Sequence, residues 1–432
     1  MPSYSRIINP KRHLDSAEAE GRKLFPYYAG FSSSFVDSVF ETLEIPNDSV
    51  ILDPWNGSGT TTNTSLKHDY SVIGSDLNPA MIIVAKASLV SKFDIDSLLP
   101  LAHSIIKKST KSYAVLEQDP LLNWFDSRSA EHIRKIESSI NSTLVSHTHY
   151  VELGSSEGLE KTTPIAAFFY LSLFRSVRRM AASFVASNPT WTKVGKTPEE
   201  KVTASKEEIF SSFLTEVTLL GQQHKANTST KEVDTTKLKL LLSNAESLPL
   251  SENSIGAVIT SPPYCTRIDY AIATYIELAL IRVGAEKFSL LRRELTGSST
   301  VPKSYLEERI EWGPACLEFL ESLKNHPSKA SQTYYLKNHT KYFDSLYKSL
   351  NETARVLKPN APCVLVVQNS YYKEIRNDVA LIISQMAQGM GLKLNHQADF
   401  VAARSMVDLN KKSKSYINKR HTVESVLILE KN

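Results

Sequence analysis

The chain has 432 residues, 41% of them hydrophobic and 22% charged, with a formal net charge of +4. That balance excludes a mainly disordered chain, and 15 glycines and 19 prolines exclude collagen-like or linker-dominated architectures. The length predicts about three domain-sized units or one large domain with insertions, and the mild basicity permits a local nucleic-acid face without demanding one.

The polar start, MPSYSRIINPKRHLDSAEAEGRK, has no apolar signal core. No run of about 18 apolar residues predicts a membrane span. The three cysteines, Cys265, Cys316 and Cys363, are too few and too scattered for a disulfide framework or a zinc site. A soluble, cytoplasmic protein in a reducing compartment is expected.

The first helix is expected where Ser32, Ser33 or Ser34 can cap a face made of Phe35, Val36, Val39, Phe40 and Leu43. A short strand follows at Val50–Leu52, then a turn-like stretch from Pro54 to Thr62. A second apolar run, Val72–Ile73, leads to a helix opened by Asn78 and Pro79. Strand, glycine turn, helix, strand and helix within about 40 residues is the pattern of a parallel α/β unit.

From residue 91 to 235 the pattern is helical and rich in Ser and Lys, and it reads as an inserted helical subdomain. Its strongest helix, TPIAAFFYLSLFRSVRRMAASFV, carries Arg175, Arg178 and Arg179, which are either a solvated face or phosphate contacts. Trp191, nearby, is either a core anchor or a wedge for DNA. Strand signals resume at 238–249 and 255–264, and 268–335 reads as helical or irregular. A long amphipathic helix is predicted over 334–357, a buried strand over 361–370, and a helix over 377–391. Last strands near 398–404 and 423–430 flank a polar loop. In that loop, residues 410–421 hold Lys411, Lys412, Lys414, Lys419 and Arg420 without an acid, a candidate phosphate-binding segment. The division is thus 1–90, a core half with the first motif; 91–235, the insertion; and 236–432, a core half with the second motif.

The first motif is DPWNGSGTT, directly after a strand. Gly57 and Gly59 let backbone pass close to a ligand, and Thr60 and Thr61 begin the next helix. Asp53 ends the strand and can face the cationic end of a ligand. Asp76 ends the next strand, where nucleotide-binding α/β folds hold a ribose diol. A dinucleotide site wants a third glycine three residues after Gly59, but position 62 is Thr. A ribose partner and a positive group without a pyrophosphate cradle suit S-adenosylmethionine.

The second motif is TSPPYC, residues 260–265. Pro262 and Pro263 hold the turn rigid and leave carbonyl acceptors, Ser261 adds an oxygen, and Tyr264 offers a flat face. Two convergent acceptors and a ring fit an exocyclic amino group on a planar base. Pro362–Cys363 has the order of a carbon-5 cytosine methylase nucleophile, but Cys363 lies inside an apolar run and reads as a buried thiol.

Taken together, D-P-x-x-G-S-G-T-T followed by S-P-P-Y resembles the amino-methyltransferase family of DNA-modifying enzymes, over roughly residues 23–90 and 236–430. The resemblance implies an α/β, Rossmann-like seven-stranded methyltransferase sheet with a largely helical insertion. KLFPYYAGF resembles the segment that helps cover the methionine end of the cofactor, which nominates Phe25. SNAESLP resembles the adenine-binding segment, nominating Asn244 and Ala245. Pro54, Trp55 and Leu77 join the cofactor set. SPPY is typical of the branch acting on the N-4 amino group of cytosine, with S-adenosylmethionine as donor and double-stranded DNA as substrate, in restriction–modification beside a cognate nuclease. The rivals are an adenine N-6 enzyme, an RNA guanine N-2 enzyme and a catalytically inactive DNA-binding relative.

Overall fold

The computed structural model describes residues 4–11, 24–25, 30–109, 116–186, 190–227, 233–266, 268–302, 304–401 and 422–432. Helix α1 (Ser33–Thr42) opens on the Ser32 cap, whose hydroxyl accepts the Phe35 N–H, and it buries Phe35, Val36 and Val39 as its apolar spacing requires. Strand β1 (Val50–Asp53), helix α2 (Thr60–Lys67), strand β2 (Ser71–Asp76) and helix α3 (Pro79–Ala87) follow, with Asn78 capping Pro79 at the first helical position.

The chain then leaves the sheet. Helices α4 (Ile95–Lys108), α5 (Ser127–Ile140), α6 (Ser156–Lys161), α7 (Pro164–Met180) and α8 (Lys206–Asn227) form the expected insertion. Strands β3 (Leu238–Leu242) and β4 (Ala257–Thr260) bring it back. Then come α9 (Tyr270–Ala273), α10 (Tyr275–Leu280), α11 (Ala285–Glu294), α12 (Pro314–Asn325) and α13 (Leu336–Val356). The last run is β5 (Pro362–Gln368), the small hairpin β6 (Ser370–Tyr372) and β7 (Ile375–Asn377), α14 (Val379–Gly389), β8 (Leu392–Val401) and β9 (Val423–Lys431).

The sheet has seven strands in the order β3–β2–β1–β4–β5–β9–β8. The first five are parallel and β9 runs antiparallel between β5 and β8. This is the Rossmann-like α/β sheet expected, doubly wound. On one face Ile51, Val72, Ile259 and Val364 pack with the α1 stripe; on the other Leu52, Val258, Cys363 and Leu365 pack with α12, α13 and α14. Continuous apolar runs in β4 and β5 follow from burial on both faces.

The helical lobe does not close at residue 235 in space. Ala271, Ile276, Leu278 and Phe288 share one core with Phe168, Phe169, Trp124 and Ile133. Arg134, fully buried, pairs with Asp119 at 2.7 Å and donates to the carbonyls of Ala279 and Leu280. Residues 270–294 therefore belong to the lobe by packing, although they lie in the second half of the chain. Two strand expectations also shift. The run over 361–370 is β5 followed by a hairpin edge, and β8 begins at Leu392 rather than near 398.

Register places the end of β8 and the start of β9 at the sheet edge reached by β5. Gln368 pairs with Glu424, and Val401 with Val423. The basic segment, with Lys411, Lys412, Lys414, Lys419 and Arg420, lies outside the described residues. Among the described residues, no helix is long and apolar enough to cross a membrane, and no group of three or more His, Cys, Asp or Glu side chains is placed to hold a metal.

Candidate cofactor and amino-group site

Parallel strands bring their C-terminal ends to one edge, and ligands in open α/β sheets bind there. β1 ends on Asp53, β2 on Asp76, and β4 runs into Ser261. All three line one open cavity, together with Trp55, Thr60 and Pro263 of the expected set.

The turn after β1 shows why glycine is required. Gly57 and Gly59 have φ of 48° and 86°, and a Cβ on Gly59 would meet the Ala85 Cβ at 3.1 Å. The Gly57 N–H points across to Asp76 Oδ2 at 2.9 Å, and Asp76 Oδ1 accepts the Asn78 N–H at 2.8 Å. Burial raises the Asp76 carboxyl to about 6 in spite of these bonds. Asp53 is 3% exposed and is likewise raised by burial to about 6, although Thr260 Oγ1 donates to it at 2.5 Å and the Trp55 N–H at 3.2 Å.

Asn56 is buried beside them. Its Oδ1 accepts the Thr62 hydroxyl, while its Nδ2 has no hydrogen-bond partner among the described residues. Two desolvated carboxylates, a spare amide donor and two close-approach glycines suit a ligand with a cationic group, a diol and an acceptor. S-adenosylmethionine has all of these, so the residues present fit it.

Other expected cofactor residues act at one remove. The Thr61 hydroxyl donates to the Ile259 carbonyl, tying α2 to β4, while Pro54 and Leu77 pack without facing the cavity. Asn244 and Ala245 follow β3, where Ser243 bonds Ser75 and the Asp76 carbonyl, but neither lines the cavity. Asn244 Oδ1 is occupied by the Glu246 N–H. Phe25 is buried in the helical-lobe core, also outside the cavity wall.

The second turn differs from expectation in two details. The Pro263 carbonyl is not free, because it accepts the Tyr342 hydroxyl at 2.9 Å. The Pro262 carbonyl has no donor among the described residues. Ser261 donates its one proton to the Val366 carbonyl at 2.9 Å, which leaves its oxygen lone pairs as acceptors at the cavity. Tyr264 is 7% exposed and does not line the cavity; its hydroxyl donates to Glu424 Oε1 at 2.5 Å. The aromatic residues at the cavity wall are Phe31, Trp55 and Tyr270.

The α7 arginines, read as a solvated face or as phosphate contacts, meet acidic partners within the protein. Arg175 pairs with Glu216 at 2.8 Å and donates to the Leu24 carbonyl. Arg178 forms a two-pronged pair with Glu277, each bond 2.6 Å, donates to the Ala273 carbonyl, and lies 5.6 Å from the Phe25 ring centroid. Arg179 also pairs with Glu216. Arg175 and Arg178 are turned inward, where they hold Leu24–Phe25 and α10 against the lobe, while the Arg179 side chain stays half exposed. Trp191 is 40% exposed, which removes the core-anchor reading. Its neighbour Thr190 reaches the cavity.

The three thiols are buried, and burial pushes Cys265 and Cys363 up to about 12. Thiolate chemistry at neutral pH is therefore disfavoured. Sequence reasoning missed Asn78, Thr190, Tyr270, Thr274 and Ile268 as wall residues. The Asn78 amide donates to Thr274 Oγ1 at 2.8 Å, bridging two segments about 200 positions apart, a relation no local pattern carries.

No family model matches the chain. It is 23% identical to the type II methyltransferase M.BsoBI of Geobacillus stearothermophilus, over 91% of this chain and 86% of that protein. It is 31% identical to the type II methyltransferase M.AvaI of Nostoc sp., but over 32% of this chain and 30% of the relative. Among solved structures, the rRNA methyltransferase aviRa from Streptomyces viridochromogenes matches with a TM-score of 0.30 and 10% identity, a likeness too loose to carry an argument.

Proposed function

We propose that this chain is an S-adenosylmethionine-dependent DNA methyltransferase that modifies the exocyclic N-4 amino group of cytosine in double-stranded DNA, as the methylating partner of a restriction nuclease. The similarity to type II methyltransferases over most of both chains supports the methyltransferase part. The observation that carries the target chemistry is Ser261, an acceptor at the same cavity as Asp53 and Asp76.

Asp53 and Asp76 would hold the cofactor's cationic and ribose ends, with the Asn56 amide as a donor. When bound, S-adenosylmethionine supplies an electrophilic methyl group and a neutral thioether leaving group. Ser261 Oγ and the Pro262 carbonyl take hydrogen bonds from the two amino protons. That interaction turns the nitrogen lone pair out of conjugation and toward the methyl donor. As the N–C bond forms and the S–C bond breaks, the nitrogen becomes cationic and releases one proton to water; alignment supplies most of the rate, and no covalent nucleophile is needed. Val366 fixes which way the Ser261 proton points, so the serine stays an acceptor.

The base assignment rests on Ser261 in the SPPY turn. Serine is shorter than the aspartate or asparagine of adenine enzymes and stays close to the backbone, which suits a smaller pyrimidine. DNA from cells expressing the chain, digested to nucleosides and analysed by mass spectrometry, should contain N-4-methylcytosine. N-6-methyladenine alone would overturn the base assignment and leave the cofactor site standing.

A further inference from the structure

We propose that Glu424 is a positioning residue for this reaction, acting through the Tyr264 hydroxyl to fix the SPPY turn that carries Ser261. The inference rests on the amino-methyltransferase reading above.

Glu424 is the second residue of β9, placed by its pairing with Gln368 at the sheet edge that carries the site. It is 3% exposed. A carboxylate is rarely buried without a partner. Here the partner is the Tyr264 phenol, which donates to Oε1 at 2.5 Å. Burial and then the adjacent Glu424 charge push that phenol's pKa well up, so it donates and does not ionise. The Lys11 ammonium approaches the same Oε1 at 3.5 Å, lies 5.7 Å from the Tyr264 ring centroid, and donates to the Gly30 carbonyl at the cavity rim.

Three distant segments thus converge on one ring. The SPPY turn is held at its backbone by Tyr342 on Pro263 and at its side chain by Glu424. The Tyr264 ring does not face the cavity and serves as an anchor; without the second tether the turn is free to shift, and Ser261, which does line the cavity, loses its alignment on the amino group. A charge-assisted hydrogen bond in a buried setting is strong enough to hold it.

A double-mutant cycle on kcat and KM for DNA tests the inference, with Glu424→Ala, Tyr264→Phe and the pair. Glu424→Ala should lower kcat/KM for DNA by about 10- to 100-fold. Its cofactor affinity by calorimetry should hold. In the Tyr264→Phe background the same change should cost little more, because the hydroxyl through which Glu424 acts is gone. Glu424→Gln keeps an acceptor and should recover most of the activity. Should Glu424→Ala fold poorly, Glu424→Met fills the volume without an acceptor and serves in the same cycle. Equal losses in both backgrounds, unchanged activity, or a glutamine variant as impaired as alanine would overturn the role. The wild-type chain in the same assay separates this from the broader reading, which fails only if wild type methylates no DNA.

Discussion

The Thr260 hydroxyl donates to Asp53 Oδ1 at 2.5 Å. Thr260 ends β4 and immediately precedes Ser261, whereas Asp53 ends β1, so one hydrogen bond joins the last residue before the amino-group turn to the acid of the cofactor turn. The two motifs lie about 200 positions apart in sequence and share a single wall.

That hydrogen bond makes Asp53→Asn an informative change. The Thr260 and Trp55 donors both address Oδ1, so the amide oxygen can replace it while the buried charge disappears. Asp53 titrates near 6 in the fold against 3.8 ordinarily. An acid whose folded pKa is raised binds more protons folded than unfolded between those values, so its contribution to stability falls as pH rises through that window. At pH 7.5 the asparagine variant without ligand should be more stable than wild type, by on the order of 2 kcal/mol. The gain should vanish below about pH 4. Cofactor affinity should move the other way, weaker in the variant at pH 7.5. Thermal melts across pH, beside calorimetry with S-adenosylmethionine, read both trends, and a variant less stable than wild type at pH 7.5 would contradict the argument.

Ser261→Ala removes an acceptor at the cavity and leaves the Val366 carbonyl without its donor. We expect kcat to fall by roughly 100-fold, the scale of losing one well-placed polar group in a transition state, with cofactor binding nearly unchanged. Single-turnover rates on saturating DNA check this. A change confined to KM for DNA would assign the serine to binding alone.

Arg178→Ala should destabilise the protein by about 3–5 kcal/mol, because it strands the fully buried Glu277 without its partner. Replacing the pair by Met and Leu should recover much of the stability. Neither change should alter the salt dependence of DNA binding. A flattened salt slope in a folded double variant would return Arg178 to the phosphate-binding set.

The segment at 410–421 leads to the opposite expectation. Changing Lys411, Lys412 and Lys414 to Gln should weaken DNA binding and reduce the salt slope by roughly one unit for each lysine that had neutralised a phosphate, while sequence preference persists. Binding titrations at several salt concentrations decide it. An unchanged slope would mean that these lysines do not touch the DNA backbone.

What the sequence made legible was local. The glycine turn, the Asn78–Pro79 helix start and the long α13 stripe each follow from neighbours a few residues apart, and the structure contains all three. The seven-stranded α/β sheet came from the family resemblance, and its strand order from the structure alone. Partners of charged groups were not legible. Arg178 looks the same in sequence whether it meets phosphate or Glu277, 99 positions away. Tyr264 likewise gives no local sign of Glu424, 160 positions away. The cavity wall from Ile268 to Thr274 escaped for the same reason, since its role depends on a lobe folding over the strand ends.

The position of that lobe has a consequence for how the chain is made. β2 ends at Asp76 and its outer neighbour β3 begins at Leu238. During synthesis β1 and β2 can pair as soon as they emerge, but the outer edge of β2 stays open until the whole helical excursion has been translated. The other side waits too, because β4 follows β3. For that interval the nascent chain carries a two-stranded parallel ribbon with both edges bare, the arrangement most open to mispairing with another chain. The packing of α3 on α7 can shield one flank in that interval, but the lobe's core stays incomplete until residues 270–294 have been made. Ribosome-arrested chains cut just before Leu238 should therefore aggregate more readily than those extended past Thr260.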